Sequence, residues 1–275
     1  MENDERNKAN SQLDQLLSAV LKSSKYRYIC EELITSMGIR ELTKQQNLKK
    51  AINSTKNKLH QIGGAYFLGQ PKYTLWLEWL RRAKNSDNRD VLRKTCAKIM
   101  RCHASTRERL NILDQFYVRV FSLLPPIYSI MDIACGFHPL SIPWMPISDK
   151  VTYYAYDIYN DLTNFLNDFM RIINIQGRAE TRDVIKNPPE INTDLAFILN
   201  SIPCLEQIQQ SAGLKILESI KAKFLVVSFP IQSLGGKEKG MRKYYNSRFD
   251  ELTKEKDWVI QRLESNAELV FLITK

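Results

Sequence analysis

MDIACGFHPL, residues 131–140, runs from an apolar segment through an aspartate and two small residues to a glycine, then meets a proline three residues later. This reads as a β-strand delivered into a tight turn, with the strand expected to end at Gly136. In an open α/β sheet the ligand crevice lies at the carboxyl ends of the strands, and a glycine at the first strand-to-loop turn lets backbone approach a ligand closely. Only one glycine stands here, so the GxGxxG of a dinucleotide dehydrogenase is absent. Taken alone, the stretch would read the same in an ordinary βα turn.

The neighbouring sequence carries the reading further. YSIMDIACG, TYYAYDI, TDLAFILN and KFLVVSFP are short apolar runs, separated by stretches long enough for helices over 160–176 and 204–221. That is the β/α alternation of a mostly parallel sheet. The tail WVIQRLESNAELVFLITK holds two extended runs around Ser265–Asn266, a hairpin that appends an antiparallel strand to the sheet edge. Asp157 closes YYAYDI about twenty residues beyond the glycine, where an acid typically accepts from a ribose diol. Asp183, in ETRDV, ends a candidate third strand. Each acid alone could be a helix N-cap. Together with Gly136, at three successive strand ends, they point to a nucleoside-type cofactor.

The N-terminal part has another texture. Residues 12–37, 41–62, 73–84, 89–102 and 106–123 place apolar residues at three- and four-residue spacing and read as helices, and Pro125–Pro126 closes the series. Ser105 or Thr106 can cap the last of them, with Glu108 in its first turn. The opening MENDERNKANSQ is expected to fray. Charge divides along the same line. Residues 1–106 hold 20 Lys+Arg against 10 Asp+Glu, whereas 107–275 hold 20 of each, so the whole +10 lies in the first part. Such segregation suits a domain at 1–106 that meets a polyanion and a neutral domain at 107–275.

With 44% hydrophobic and 25% charged residues the chain has a globular composition, and it shows no signal-peptide pattern and no run of eighteen apolar residues. Neither secretion nor membrane spanning is expected, and the chain reads as cytoplasmic. The five cysteines form no CxxC pair, and Cys96, Cys102 and His103 lack a fourth ligand, so no metal is expected. HASTRER, 103–109, offers Arg107 or Arg109 as a bidentate partner for a cofactor carboxylate. SFPIQSLGGKEKGM, 228–241, fails the Walker A spacing and reads as a mobile basic loop at the mouth of the crevice.

KLHQIGGAY (58–66), HASTRERLNILDQFY (103–117), MDIACGFHPLSI (131–142), YAYDI (154–158), PCLE (203–206), VVSFPIQSLGGKEKGM (226–241) and AELVFLITK (267–275) together resemble the Arm/Rmt aminoglycoside-resistance 16S rRNA methyltransferases, which modify N7 of the decoding-site guanine at rRNA position 1405. The resemblance implies a class I, Rossmann-like S-adenosylmethionine-dependent methyltransferase sheet behind an N-terminal α-helical rRNA-binding domain. It makes Arg109 the partner of the cofactor's methionine carboxylate, Asp157 the ribose acid, Asp183 the acid near the adenine, and Ala134 and Gly136 the loop under the methionine. His103, Ser105, Asp132, Cys135, Ile158, Val184, Leu199 and Asn200 complete the cofactor set. Asn200, Ser228, Phe229 and Pro230 would position the methyl transfer. Lys49, Lys50, Lys56, Lys58, His60, Arg81, Arg82, Lys237, Lys239 and Arg242 would meet RNA. The family usually has a lysine where this chain has Asn200.

Guanine N7 carries a lone pair at neutral pH, so its methylation needs no base, and catalysis would rest on positioning. Phe137, Tyr117 or Phe229 could stack on the flipped base. The implied partner is 16S rRNA within the assembled 30S subunit, met by a monomer. Methylation of a neighbouring decoding-site adenine at N1, or a catalytically weak homologue that binds cofactor and rRNA, are the alternatives.

Overall fold

The fold is described from a computed structural model covering residues 2–45, 47–232, 240–263, 265 and 267–275. Among the described residues seven α-helices precede the sheet: α1 Glu2–Leu21, α2 Glu31–Lys44, α3 Leu48–Leu59, α4 Tyr73–Asn85, α5 Arg89–Met100, α6 Ala104–Arg109 and α7 Leu113–Phe121. The opening stretch from Glu2 lies in α1. A helix anchored by the fully buried Leu16 and Val20 extends back to Glu2, because propagation costs little once a turn is nucleated.

The helical pattern over 12–37 is broken. Residues 28–30 leave it to pair with the chain after the second strand, Cys30 N–H donating to Ile158 O at 2.8 Å and Asn160 N–H to Tyr28 O at 2.7 Å. The expected 41–62 helix also divides. Asn47 caps α3 by accepting from Lys49 N–H at 2.9 Å, and a π-turn, His60–Gly64, follows. The expected 106–123 helix begins earlier, at Ala104, and is interrupted by a 3-10 turn at Leu110–Ile112. Ser105 and Thr106 are therefore not caps. Thr106 Oγ1 instead donates back to Met100 O at 2.9 Å.

The strands are β1 Ser129–Ile133, β2 Thr152–Asp157, β3 Gln176–Thr181, β4 Thr193–Leu199, β5 Ala222–Pro230, β6 Val259–Leu263 and β7 Glu268–Thr274, ordered β3-β2-β1-β4-β5-β7-β6. The first five are parallel. β7 runs antiparallel to β5 and forms the expected hairpin with β6. Between them lie α8 Asn160–Ile172, α9 Ile202–Ile208, α10 Ala212–Ser219 and α11 Met241–Thr253, so the stretch over 204–221 holds the end of α9 and all of α10.

Strand alternation divides the interior. Leu195 and Phe197 of β4 join the core that includes α1–α5 and α8, whereas Ala196 and Ile198 join α10 and α11 on the opposite face. The expected division at residue 106 falls inside α6, and the apolar interior continues across it. Trp76 of α4 meets Phe137 edge-on at 5.6 Å and Phe165 of α8 at 6.0 Å. Trp76→Ala is expected to lower stability by about 3–5 kcal/mol, read as an earlier midpoint in urea unfolding.

Candidate active site

β1 ends at Ile133, three residues before the expected Gly136, because the chain then turns sharply: Ala134 has φ +51° and Gly136 φ +50°. Ala134 bears the steric cost of a left-handed conformation, which marks the loop as over-determined by its surroundings. At Gly136 no side chain fits, since a Cβ there would lie 2.8 Å from the His103 ring. Gly136 N–H donates to Asp157 Oδ2 at 2.9 Å, and Ile158 and Tyr159 N–H donate to Oδ1 at 2.7 and 3.3 Å. Burial pushes the Asp157 carboxyl up to about 6, against the pull of these three donors.

A cavity opens at the carboxyl ends of β1, β2 and β4. Ala134, Gly136, Asp157 and Ile158 line it from the first two strand ends, with Leu199, Asn200 and Ser201 from the third. Cys204, Leu205 and Ile208 of α9 form one wall. Ile62, Gly63, Tyr66, Phe67, His103 and Ser105 face them from the helical part, and Tyr159 and Leu162 close the side. Gly63 must be glycine because its Cβ would meet the Tyr159 hydroxyl at 2.7 Å. Tyr66 stacks on His103, centroids 5.7 Å apart, and its hydroxyl lies 2.8 Å from Cys204 Sγ. Burial, with Arg109 nearby, pushes the His103 imidazole down to about 4, so it is neutral at pH 7. Asn200 has φ +55°, which asparagine tolerates better than most residues, and its N–H donates to Ser228 O at 3.0 Å.

Of the residues read from sequence, His103, Ser105, Ala134, Gly136, Asp157, Ile158, Leu199 and Asn200 meet in this cavity. Arg109, Asp132, Cys135, Asp183 and Val184 do not line it. Asp132 faces away, accepting from His138 Nδ1 at 2.7 Å and the Tyr153 hydroxyl at 2.8 Å, while His138 Nε2 lies 2.7 Å from the Tyr117 hydroxyl. Asp183 Oδ1 caps the next turn, taking Ile185 N–H at 3.1 Å. Arg109 pairs with Glu268, Nη2 to Oε1 2.7 Å, with both side chains buried.

Ser228 supports Asn200 from behind, its hydroxyl accepting Asn200 N–H at 3.1 Å. Phe229 is core, and Pro230 sits in register with Glu268. The suggested base-stacking rings Phe137, Tyr117 and Phe229 are all fully buried, which corrects that expectation. Tyr66 and Phe67 are the half-buried rings in the cavity wall.

Among the basic positions, Lys49, Lys50, Arg81, Arg82 and Arg242 are exposed and Lys56 is half-buried. Lys58 is tied to the buried carboxylate of Glu41, and His60 Nδ1 is buried without a partner. Lys237 and Lys239 lie outside the described residues. Sequence reasoning missed Ile62, Gly63, Tyr66, Phe67, Tyr159, Ser201 and the α9 wall. The paired glycines of QIGGAY and the helix start at SIPCLE were the available signals.

The sequence profile described as ribosomal RNA methyltransferase (FmrO) matches residues 22–272. A 16S rRNA (guanine(1405)-N(7))-methyltransferase of Micromonospora echinospora is 31% identical over 265 residues, covering 96% of this chain and 97% of that protein. One from Serratia marcescens is 29% identical over 96% of this chain and 98% of its own length. The structure of 16S rRNA methyltransferase RmtF in complex with S-adenosyl-L-homocysteine superposes with a TM-score of 0.84 at 27% identity, covering 96% of this chain and 98% of that one. That of the 16S rRNA methylase RmtB gives 0.77 at 26%, with 96% and 98% covered.

A carboxyl raised by folding contributes stability below its unfolded pKa and loses it as pH rises through the folded one. Asp157→Asn is therefore expected to gain on the wild type between pH 3.8 and about 6. The relative gain is up to about 3 kcal/mol, measured as the difference between the two unfolding free energies across that window. A difference that stays constant with pH would refute the assignment.

Proposed function

Because the chain belongs to the ribosomal RNA methyltransferase (FmrO) family, we propose that it methylates N7 of the decoding-site guanine of 16S rRNA, position 1405 in its relatives' names, using S-adenosylmethionine and thereby conferring aminoglycoside resistance. The observation that carries this reading is the cavity over Ala134, Gly136 and Asp157 at the carboxyl ends of β1 and β2. Its chemistry fits the cofactor. Asp157 offers carboxylate lone pairs to a ribose diol, the left-handed loop brings bare backbone to the wall, and Ser201 Oγ and His103 Nδ1 are buried there without protein partners.

S-adenosylmethionine, when bound, supplies the electrophilic methyl group. The protein's part is positioning. Asp157 and the Ala134–Gly136 loop would hold the nucleoside and sulfur end, and Arg109 would pair with the methionine carboxylate. Asp183 would serve the adenine end. Asn200, held by Ser228, borders the point of transfer. No base is needed at N7, and the neutral His103 neither takes a proton from the guanine nor adds a charge to the cavity. Tyr66, seated on His103, is a half-buried ring in the wall that the incoming base can meet.

The N-terminal helices dock on rRNA phosphates through the exposed Lys49, Lys50, Arg81 and Arg82, supplying affinity without base readout. The chain acts as a monomer on the assembled 30S subunit in the cytoplasm, where that composite rRNA surface exists. No helix among the described residues is long and apolar enough to cross a membrane.

Incubating the protein with 30S subunits and labelled S-adenosylmethionine, followed by borohydride and aniline cleavage, is expected to cut the rRNA once, at the decoding-site guanine. Label without that cut would move the reaction to another atom, such as adenine N1. Binding to 30S subunits should weaken steeply with salt, the logarithmic slope growing by roughly 0.9 per phosphate contact. A flat titration between low and moderate salt would remove the docking role of the helices.

A further inference from the structure

Arg109 and Glu268 form a buried ion pair with side chains 1% and 0% exposed, yet the 2.7 Å approach is off the hydrogen-bonding direction. Arg109 Nε and Nη2 and both Glu268 oxygens have no hydrogen-bond partner. A buried pair left in this state gains charge attraction without recovering the hydrogen bonds lost from water. Glu268 itself is firmly placed. It opens β7 opposite Pro230 of β5, and its N–H donates to Ser265 Oγ at 3.3 Å. The guanidinium lies over the Phe116 ring at 5.5 Å. Ser105, which lines the cavity, stands four residues before Arg109 on α6, so both share one helix face.

We propose that Glu268 is the positioning residue of the cofactor site: it holds the Arg109 guanidinium by charge and leaves its N–H groups free for the carboxylate of the bound cofactor. This rests on the reading of Arg109 given above. The rigid β5–β7 pairing sets where Glu268 stands, Glu268 sets where Arg109 stands, and the arrangement is completed when a second carboxylate supplies the missing acceptors. Glu268 does not touch the ligand.

The test compares two ligands by calorimetric titration of the full chain: S-adenosylhomocysteine, and 5′-methylthioadenosine, which keeps the nucleoside thioether but lacks the amino-acid carboxylate. Glu268→Gln is expected to weaken S-adenosylhomocysteine about tenfold or more, the worth of one charge-assisted hydrogen bond, and to leave methylthioadenosine unchanged. In an Arg109→Met background the same substitution should change neither. Equal losses for both ligands, which a merely structural role would produce, overturn the proposal. So does an unchanged S-adenosylhomocysteine affinity. Should Glu268→Gln not fold, Glu268→Asp keeps the charge but withdraws it from the guanidinium, and the same selective loss is required of it. Wild-type protein that binds neither ligand would sink the cofactor reading itself, an outcome distinct from losing selectivity.

Discussion

One buried carboxylate organises the ligand end of this sheet. Asp157 ends β2 and gathers N–H groups from Gly136, Ile158 and Tyr159, so the loop after β1 and the loop after β2 are hung on the same two oxygens. Burial works against the charge and the three donors work for it, with burial the larger effect. The loop can accept this geometry only with a bare α-carbon at 136, where the His103 ring fills the space a side chain would need. Sheet, loop and helical layer thus meet around a single side chain.

The helical layer is therefore an integral wall of the cavity. Residues 28–30 pair with 158–160, Arg40 reaches Ile208 O of α9 at 2.6 Å, and Gly63 of the π-turn lies against Tyr159. Beneath the loop, Asp132, His138, Tyr117 and Tyr153 form a buried polar network that locks the 3-10 turn following Gly136. Such networks specify one arrangement because each polar group left unpaired in a dry interior is costly. Here the network frees the turn from dependence on apolar packing alone, beside a cavity that must stay open.

The charge distribution divides the labour in the same way. Several cations are consumed internally: Lys58 by Glu41, Arg248 by Glu206 and Glu251, and Arg93 in part by Asp114. The lysines and arginines Lys49, Lys50, Arg81 and Arg82 of α3 and α4 face solvent. A surface of that kind attracts phosphates at long range, while the cavity, with a neutral imidazole and a single buried carboxylate, suits a reaction that moves no proton.

Much of this was legible in the chain itself. Short apolar runs separated by helix-length stretches marked the strands, three- and four-residue apolar spacing marked the helices before them, and the segregated charge marked that part as basic. The resemblance carried by HASTRER and SFPIQSLGG agreed with the family found by comparison. Asp157 and Gly136 were identifiable because strand ends and tight turns leave local signatures, whereas His103 and Asn200 came from the family resemblance. What could not be read was where side chains go once strands twist and helices stack. Asp132, one residue from the loop, turns into a hidden network; Arg109 meets Glu268 from the far end of the sequence; Lys58 is spent on Glu41; and Phe137, Tyr117 and Phe229 vanish into the core. The sequence determined which elements form and which chemistry they carry, since propensity, periodicity and turn residues act locally. Only the tertiary structure decided which of those groups face the cavity, because burial and pairing depend on contacts between residues more than a hundred positions apart, such as Tyr66 with Cys204.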